Sequence, residues 1–327
     1  MYTFDDIQSV ITSEVEREIK NLSETEPGNL YQPIGYALSM GGKRLRPAMV
    51  LLAYNMFRDN LTDALPVAMA VEVFHNFTLL HDDIMDKAEM RRNNPSVYKK
   101  YNENIAILSG DAMSIMAYEY LLKSNSARLP EIIRLFSQTA LEVCEGQQYD
   151  MDFESSLEVS IADYLNMIRL KTAVLLAASL KLGALAADAS EKVACQLYDF
   201  GLNLGIAFQL QDDLFDVFAD QSKFGKRIGG DIVANKKTFL LLKALEISDI
   251  QSKAVILNWV QKEEFNPEEK VREISGVYNQ LNIKKITEGQ IDFYFQAALD
   301  ILDEVELPEE KKTEMTKLAR LILSRDH

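Results

Sequence analysis

Apolar residues recur three and four positions apart along almost the whole chain, which is the spacing of one face of an α-helix. Strict alternation of apolar and polar residues, the pattern of a half-buried strand, is rare. The pattern therefore predicts a succession of helices joined by short connections. The predicted helices cover residues 3–22, 29–40, 46–58, 64–88, 104–124, 129–150, 160–182, 189–219, 236–246, 249–262, 267–281, 286–304 and 308–325.

Residues that break regular structure are scarce. The 327 residues include 14 Gly and 8 Pro, and no Pro lies between Pro130 and Pro267. Sheet-rich folds need more turn residues than this, and neither a linker nor a repeat divides the sequence. We therefore predict an all-α protein with a single domain that covers residues 1–327.

The charge balance disfavours some classes of binding partner. With 35 Lys and Arg against 50 Asp and Glu, the formal net charge is −15, which disfavours general binding to nucleic acid or to anionic membranes. No apolar run approaches the length of a membrane span. Two cysteines are too few for a disulfide framework. These features predict a soluble cytoplasmic protein.

Two of the predicted helices are apolar for several turns and then become acidic. One runs from Leu65 to Leu80 and continues into Asp-Asp-Ile-Met-Asp, and the other runs from Val193 to Gln211 and continues into Asp-Asp-Leu-Phe-Asp. At about 100° per residue, each motif presents its three carboxylates on one face. Because the negative end of a helix repels further anions, a cation such as Mg²⁺ is expected there. The carboxylates are those of Asp82, Asp83, Asp86, Asp212, Asp213 and Asp216.

Basic residues cluster at four other places, each suited to binding phosphate. They are the Gly-Gly-Lys-Arg-Leu-Arg-Pro segment at 41–47, the Arg91-Arg92 pair, Lys171-Thr172, and the loop that contains Lys223, Lys226, Arg227, Lys236 and Lys237. Taken alone, any of these clusters could be an ordinary solvated surface. On a helical backbone, Arg91 and Arg92 point about 100° apart and can serve different anions.

One histidine has two interpretations. The spacing Glu72-x-x-His75 fits half of a di-iron site in a helical bundle, but neither His81 nor His327 completes a second half. His75 also lies seven residues before Asp82, on the same helix face, where it could face a phosphate. We assign no role to His81.

Taken together and in this order, these motifs resemble the trans-isoprenyl diphosphate synthases of the polyprenyl synthetase family. The resemblance is strongest over residues 30–240 and weaker over the predicted peripheral helices at 249–325. It implies a helical bundle around a deep central cavity, with the two Asp motifs facing each other across its mouth. It further implies a homodimer that uses several Mg²⁺ ions, which Mn²⁺ can replace.

The resemblance assigns roles to individual residues. Asp82, Asp86 and Asp212 would ligate Mg²⁺, and Asp83, Asp213 and Asp216 would ligate it or orient the ligands. Arg91, Lys171 and Lys226 would hold the allylic diphosphate, over which Lys236 closes. Lys43, Arg46, His75 and Arg92 would hold isopentenyl diphosphate, with Gly42 allowing close approach. The Lys171 carbonyl, the Thr172 hydroxyl and the Gln209 amide would face the allylic cation.

The implied reaction joins isopentenyl diphosphate to dimethylallyl, geranyl or farnesyl diphosphate. Phe77, with Phe74 one turn below, would close the cavity beneath Asp82. Phe77 is aromatic at the fifth position before the motif, whereas Thr78 fills the fourth. In this family, that pattern resembles enzymes that make the C20 product, geranylgeranyl diphosphate.

Four alternatives remain open from the sequence. The C15 product farnesyl diphosphate is the nearest, followed by a longer product of C30 to C40. A class I terpene cyclase is disfavoured because Asp216 replaces the hydroxyl residue of the cyclase motif. A non-catalytic subunit is disfavoured because both Asp motifs and the basic segment at 41–47 are intact.

Overall fold

The computed structural model of the chain describes residues 2–156, 158–218 and 229–323. Helices make up nearly all of its regular structure, so the predicted all-α fold class is confirmed. None of the helices in these ranges is long and apolar enough to cross a membrane. The helices are α1 (Phe4–Ser23), α2 (Gly28–Ser39), α3 (Leu45–Asn55), α4 (Leu65–Met85), α5 (Val97–Lys100), α6 (Glu103–Leu121), α7 (Leu129–Ser155), α8 (Ile161–Ile168), α9 (Val174–Ala186), α10 (Glu191–Phe218), α11 (Gly230–Val233), α12 (Phe239–Ile247), α13 (Ile250–Gln261), α14 (Pro267–Gln280), α15 (Ile283–Glu304) and α16 (Glu309–Leu323).

A short hairpin follows α4. Its strands β1 (Met90–Arg91) and β2 (Asn94–Pro95) pair antiparallel, with Arg91 opposite Asn94. Arg92 and Asn93, which join the strands, have φ of 51° and 63°, as a two-residue type I′ turn requires. Arg91 and Arg92 are therefore not on a helix, and the expectation that helical geometry points their side chains about 100° apart was wrong. Arg91 lies in β1 and Arg92 in the turn, so the hairpin sets the directions of the two side chains.

The predicted helix at 160–182 is interrupted by a wider turn. Residues Arg169–Ala173 form a π-helical segment between α8 and α9. A Cβ added to Gly146 of α7 would lie 2.2 Å from the backbone nitrogen of Lys171, and one added to Gly205 of α10 would lie 2.6 Å from the Ala173 Cα. The segment thus packs against a glycine on each of two neighbouring helices, because any side chain there would collide with its backbone.

The contacts of the chain group into two compact units. The first comprises Met1–Ser137, Ala178–Tyr198 and Glu306–Met315, and the second comprises Gln138–Ala177, Asp199–Val305 and Thr316–His327. In the first unit, every residue of α3 from Pro47 to Asn55 is buried, as expected of a helix that is apolar on all sides. In the second, the core includes Tyr164, Trp259 and Tyr278. The single-domain assignment stays a prediction.

Candidate active site

The first Asp motif lies at the end of α4, and its carboxylates do not all face the same way. The Asp82 side chain is 21% exposed and that of Asp83 only 3%. The Arg91 guanidinium donates to Asp83 Oδ1 from Nε at 2.9 Å and from Nη2 at 2.5 Å, and it lies 3.9 Å from Asp82. Burial raises the pKa of Asp83, an effect that Arg91 opposes. The expectation of three carboxylates on one face is therefore wrong for Asp83, which turns inward to pair with Arg91.

The second Asp motif shows the same division at its middle residue. Asp213 is buried in the second unit and accepts the Tyr164 hydroxyl at 2.6 Å and the Gln209 amide nitrogen at 2.9 Å. Gln209 in turn accepts the Thr172 hydroxyl at 3.0 Å. Burial, together with the charge of Asp231, raises the pKa of Asp213 to about 7. Here too, the prediction of three carboxylates on one face fails for the middle residue, which faces the interior.

The last carboxylate of this motif contacts the start of α11. Asp216 Oδ2 accepts the Asp231 N–H at 2.9 Å. Burial, with the charge of Asp216, raises the pKa of Asp231 to about 6. The Lys236 ammonium lies 3.9 Å from the Asp231 carboxylate. Asp231, which the sequence analysis missed, therefore connects the motif to a predicted substrate-binding lysine. Lys226, the other lysine predicted from this loop, lies outside the described residues.

Lys171 lies on the π-helical segment, one residue before Thr172. Its ammonium group forms an ion pair with Asp150 of α7 at 2.5 Å. Both side chains are about one-quarter exposed, at 25% and 27%. Asp150 was not predicted from the sequence, because it lies 21 positions from Lys171 and the two residues belong to no common motif.

Residues 41–44 of the basic segment form a turn that receives Arg92, and residues 45–47 begin α3. Gly41 and Gly42 have φ of 77° and 120°, which favour glycine. The Arg92 guanidinium donates to the Gly41 carbonyl oxygen. A Cβ on Gly42 would lie 2.6 Å from the guanidinium carbon of Arg92. In the structure, therefore, the group that approaches Gly42 closely is Arg92. Lys43 in the same turn is exposed.

The Glu72 carboxylate belongs to a buried polar cluster. It forms an ion pair with Arg44 and accepts the Asn76 amide nitrogen at 2.7 Å. Arg44 also donates to the Leu38 carbonyl oxygen. Glu72 thus serves to hold Arg44, and the pattern Glu72-x-x-His75 has an explanation that involves no metal.

His75 lies beside Arg46, whose Nη1 is 3.1 Å from His75 Nε2. An arginine can only donate, so Nε2 accepts and the imidazole is neutral. Burial lowers the pKa of His75 well below its ordinary value, and the nearby charges of Arg46, Arg92, Arg91 and Arg44 lower it further.

The depressed pKa of His75 predicts a pH effect on stability. Below about pH 6.5 the unfolded chain binds a proton at this histidine and the folded chain does not. The stability that the neutral imidazole contributes is therefore present above this pH and is lost as the pH falls. Between about pH 7.5 and pH 5.5, the wild type should therefore lose more unfolding free energy than His75→Gln, whose side chain binds no proton in this range. Urea unfolding at both pH values measures the difference, and equal losses would contradict the neutral assignment.

Aromatic rings form a continuous row behind the first Asp motif. Starting at His81, ring centroids are 4.8 Å apart to Phe77, 5.4 Å from there to Phe74, 5.1 Å on to Phe136 and 5.2 Å on to Tyr118. Phe74 contacts Phe77 from one turn below, with the two ring planes tilted by 52°. Phe136 and Tyr118 were missed because they join the row through three-dimensional packing. His81 lies one turn after Phe77 on α4, and this i,i+4 spacing could have indicated the contact. Thr78 donates its hydroxyl to the His75 carbonyl oxygen at 2.8 Å.

The predicted metal ligands are carboxylates on the last turns of α4 and α10. Within the described residues, no group of three or more His, Cys, Asp or Glu side chains is close enough together to hold a metal ion. Mg²⁺ commonly takes one or two carboxylates and completes its coordination with water and substrate phosphates. The two carboxylates of Asp82 and Asp86 at the end of α4 fit that requirement.

Comparisons with known proteins agree on one family. The profile of the polyprenyl synthetase family matches residues 27–278. The geranylgeranyl diphosphate synthase of Methanosarcina mazei is 38% identical over 94% of this chain and 93% of its own length. The geranylfarnesyl diphosphate synthase of Natronomonas pharaonis is 37% identical over 75% of this chain and 78% of its own. A crystal structure of a geranylgeranyl pyrophosphate synthase is 42% identical, covers 100% of both chains and has a TM-score of 0.94. The family and the enzyme class predicted from the motifs are thereby confirmed: the chain is a prenyltransferase and belongs to the polyprenyl synthetase family.

Proposed function

We propose that this enzyme condenses isopentenyl diphosphate with dimethylallyl, geranyl or farnesyl diphosphate and releases geranylgeranyl diphosphate as its main product. The observation that carries the proposal is the aromatic row behind the first Asp motif. Phe77 lies five residues before Asp82, hence about 7.5 Å deeper along α4 at about 1.5 Å per residue. Phe77 is half-buried and Phe74 is buried behind it. A prenyl chain that grows along α4 from Asp82 would therefore meet the Phe77 ring.

Two features favour the C20 product over its neighbours. Thr78 leaves space at the position where a second ring would shorten the product, which favours C20 over C15. Behind Phe77, the rings of Phe74 and Phe136 extend the barrier, which argues against C30 or longer. The names of two of the compared proteins, both geranylgeranyl synthases, support the same length.

Mg²⁺ is the metal we propose, with Mn²⁺ as a substitute. Asp82 and Asp86 at the end of α4 would each ligate Mg²⁺, and so would Asp212 on α10. Bound to the allylic diphosphate, the metal would supply Lewis-acid neutralisation of the leaving group. Asp83 and Asp213 are already engaged with Arg91 and Tyr164, so they would orient the motifs.

The remaining chemistry belongs to residues of the chain. When the bond from C1 to the diphosphate oxygen breaks, its electron pair leaves with the diphosphate. The carbonyl of Lys171 and the hydroxyl oxygen of Thr172 would then face the cation at C1. The double bond of isopentenyl diphosphate forms the new bond to C1, and the released diphosphate removes the final proton. No side-chain nucleophile is needed.

The basic residues of the first unit should bind isopentenyl diphosphate. Replacing Arg92 or Lys43 with alanine should raise the KM for isopentenyl diphosphate about tenfold or more, because each removes one charged contact to a phosphate. The KM for the allylic substrate should change little. Replacing Lys226 with alanine should have the opposite selectivity. Steady-state kinetics with both substrates varied measures this, and equal increases in both KM values would contradict the division of roles.

We also propose that the enzyme is a homodimer. Leu108, Ile115 and Leu122 are 62%, 64% and 57% exposed and follow one another at seven-residue intervals, which places them on one face of α6 and its C-cap. Such an exposed apolar stripe is typical of an interface. We expect Ile115→Asp to shift the wild-type dimer to a monomer in sedimentation velocity. Glu103→Gln should leave it dimeric, because the exposed Glu103 lies twelve residues before Ile115 and hence about 120° round α6. A monomeric wild type would contradict the proposal.

The catalytic proposal is tested by incubating the enzyme with labelled isopentenyl diphosphate and each allylic primer, in Mg²⁺ and in EDTA. We expect label in prenyl diphosphates only with Mg²⁺ or Mn²⁺. No incorporation with any primer would favour a non-catalytic subunit, and a hydrocarbon extractable without phosphatase would favour a cyclase. We place the enzyme in the cytoplasm, which fractionation of the source cells would test.

A further inference from the structure

Four side chains of the second unit form a hydrogen-bonded chain. The Tyr164 hydroxyl donates to Asp213 Oδ2 at 2.6 Å, the Gln209 amide nitrogen donates to Asp213 Oδ1 at 2.9 Å, and the Thr172 hydroxyl donates to Gln209 Oε1 at 3.0 Å. Tyr164 is 1% exposed and Asp213 is 6% exposed. The chain thus runs from a buried phenol to the π-helical segment.

The chemistry of the donors and acceptors fixes the direction of every bond in this chain. The Gln209 amide nitrogen donates to Asp213 Oδ1, so the NH₂ group of Gln209 faces Asp213. Its carbonyl oxygen then faces Thr172. A threonine hydroxyl has one proton and two lone pairs, and Gln209 takes the proton. The lone pairs of Thr172 Oγ1 are left for the other directions.

We infer that Tyr164 is a positioning residue that fixes the polarity of Thr172. The inference rests on the proposed function, in which Thr172 faces the allylic cation. A hydroxyl that presents lone pairs stabilises a developing positive charge, whereas one that presents its proton opposes it. Tyr164 acts on Thr172 through three hydrogen bonds: it holds Asp213, Asp213 sets the Gln209 amide, and the amide sets Thr172. Neither Tyr164 nor the direction of this chain is apparent from the Asp motif alone.

Without the Tyr164 hydroxyl, Asp213 Oδ2 loses its donor. The carboxyl group can then rotate, and this rotation lets the Gln209 amide turn over. A reversed Gln209 would donate to Thr172 and release the threonine proton toward the substrate. Binding of either diphosphate should not depend on this reversal, because the four hydrogen-bonded side chains contact neither diphosphate in the proposed function. The signature of the role is therefore a fall in kcat with unchanged KM values.

A double-mutant cycle of Tyr164→Phe with Thr172→Val tests the inference, because Val has no hydroxyl to orient. Tyr164→Phe alone should lower kcat about tenfold, the effect of one hydrogen bond, with both KM values within about twofold of wild type. In the Thr172→Val background the same change should have almost no effect. In Thr172→Ser, which keeps the hydroxyl, the tenfold effect should return. An equal loss of kcat in the wild-type and Thr172→Val backgrounds would overturn the inference, as would a wild-type kcat in Tyr164→Phe.

Further variants separate this role from a general loss of packing. Tyr294 is half-buried and packs against the core of the same unit, so Tyr294→Phe removes a similar hydroxyl and should leave kcat unchanged. Should Tyr164→Phe fail to fold, Asp213→Asn replaces the acceptor at constant size. The part of its kcat loss that passes through the Thr172 hydroxyl, about tenfold, should likewise vanish with Thr172→Val. Persistence of that effect would assign Asp213 to metal binding alone. If the wild type incorporates no isopentenyl diphosphate, the proposed function itself is contradicted. That result is obtained before the double-mutant cycle is measured, so the two failures can be told apart.

Discussion

Asp82→Ala should lower kcat about a thousandfold while the protein remains folded, because the variant loses neutralisation of charge in the transition state. Asp82 lies at the negative end of α4, beside Asp86 and 3.9 Å from the Arg91 guanidinium. Removing one of several adjacent anions relieves repulsion there, so stability should not fall. Asp212→Ala should have an effect of the same size, because Asp212 is the first carboxylate of the other motif.

A matched control for these variants is Asp292→Ala, which removes an exposed carboxylate from α15. It should retain wild-type kcat. Circular dichroism and thermal unfolding establish that the variants are folded, and steady-state assays at saturating Mg²⁺ give kcat. Turnover within tenfold of wild type in folded Asp82→Ala would refute the metal assignment of that residue.

Phe77→Ala should lengthen the product by one or more five-carbon units. The Phe77 ring is the half-buried member of the aromatic row, with His81 on one side and Phe74 on the other. Its removal opens the path along α4 that Phe77 would otherwise block. We expect the product distribution to move from C20 to C25 and longer, with kcat for the first condensation nearly unchanged.

The control for Phe77→Ala is Phe293→Ala, which removes a 64% exposed ring from α15 and should leave the product at C20. Products are dephosphorylated and sized by chromatography against prenyl alcohol standards. An unchanged distribution in Phe77→Ala would show that the prenyl chain stops at some other group.

The helices were predictable because the apolar period is regular and helix starts carry local signals. Thr3 and Asp6 form a capping box at α1, and Asn266 caps α14 immediately before Pro267. Predicted and observed bounds differ by only a few residues at most helix ends. The hairpin after α4 was missed, although Asn93 in its turn is a residue that accepts positive φ.

The π-helical segment could not be predicted from its own sequence. Its backbone is widened where Gly146 and Gly205 of two other helices approach it. Neither glycine is near Lys171 in sequence, and a glycine inside a helical pattern is usually only a weak point. The information that shapes this part of the site is therefore distributed over three helices.

The motifs indicated which residues form the candidate site, but not which atoms they contact. Asp83 and Asp213 follow Asp82 and Asp212 directly, yet both turn into the protein because Arg91 and Tyr164 are their partners. Likewise, Arg44 belongs to a basic cluster in the sequence but pairs with buried Glu72. The pairs of Glu72 and Asp213 join residues 28 and 49 positions apart, so they become visible only once the helices are packed. The pair of Asp83 depends on the hairpin after α4, which brings Arg91 back to the helix end.

The most direct test of the account is the size of the wild-type product when farnesyl diphosphate and excess isopentenyl diphosphate are supplied with Mg²⁺. Mass spectrometry of the dephosphorylated product should give geranylgeraniol as the dominant species, with little C25 and no further ladder. A product of C30 to C40 from the wild type would contradict the claim that the aromatic row behind Asp82 ends chain growth.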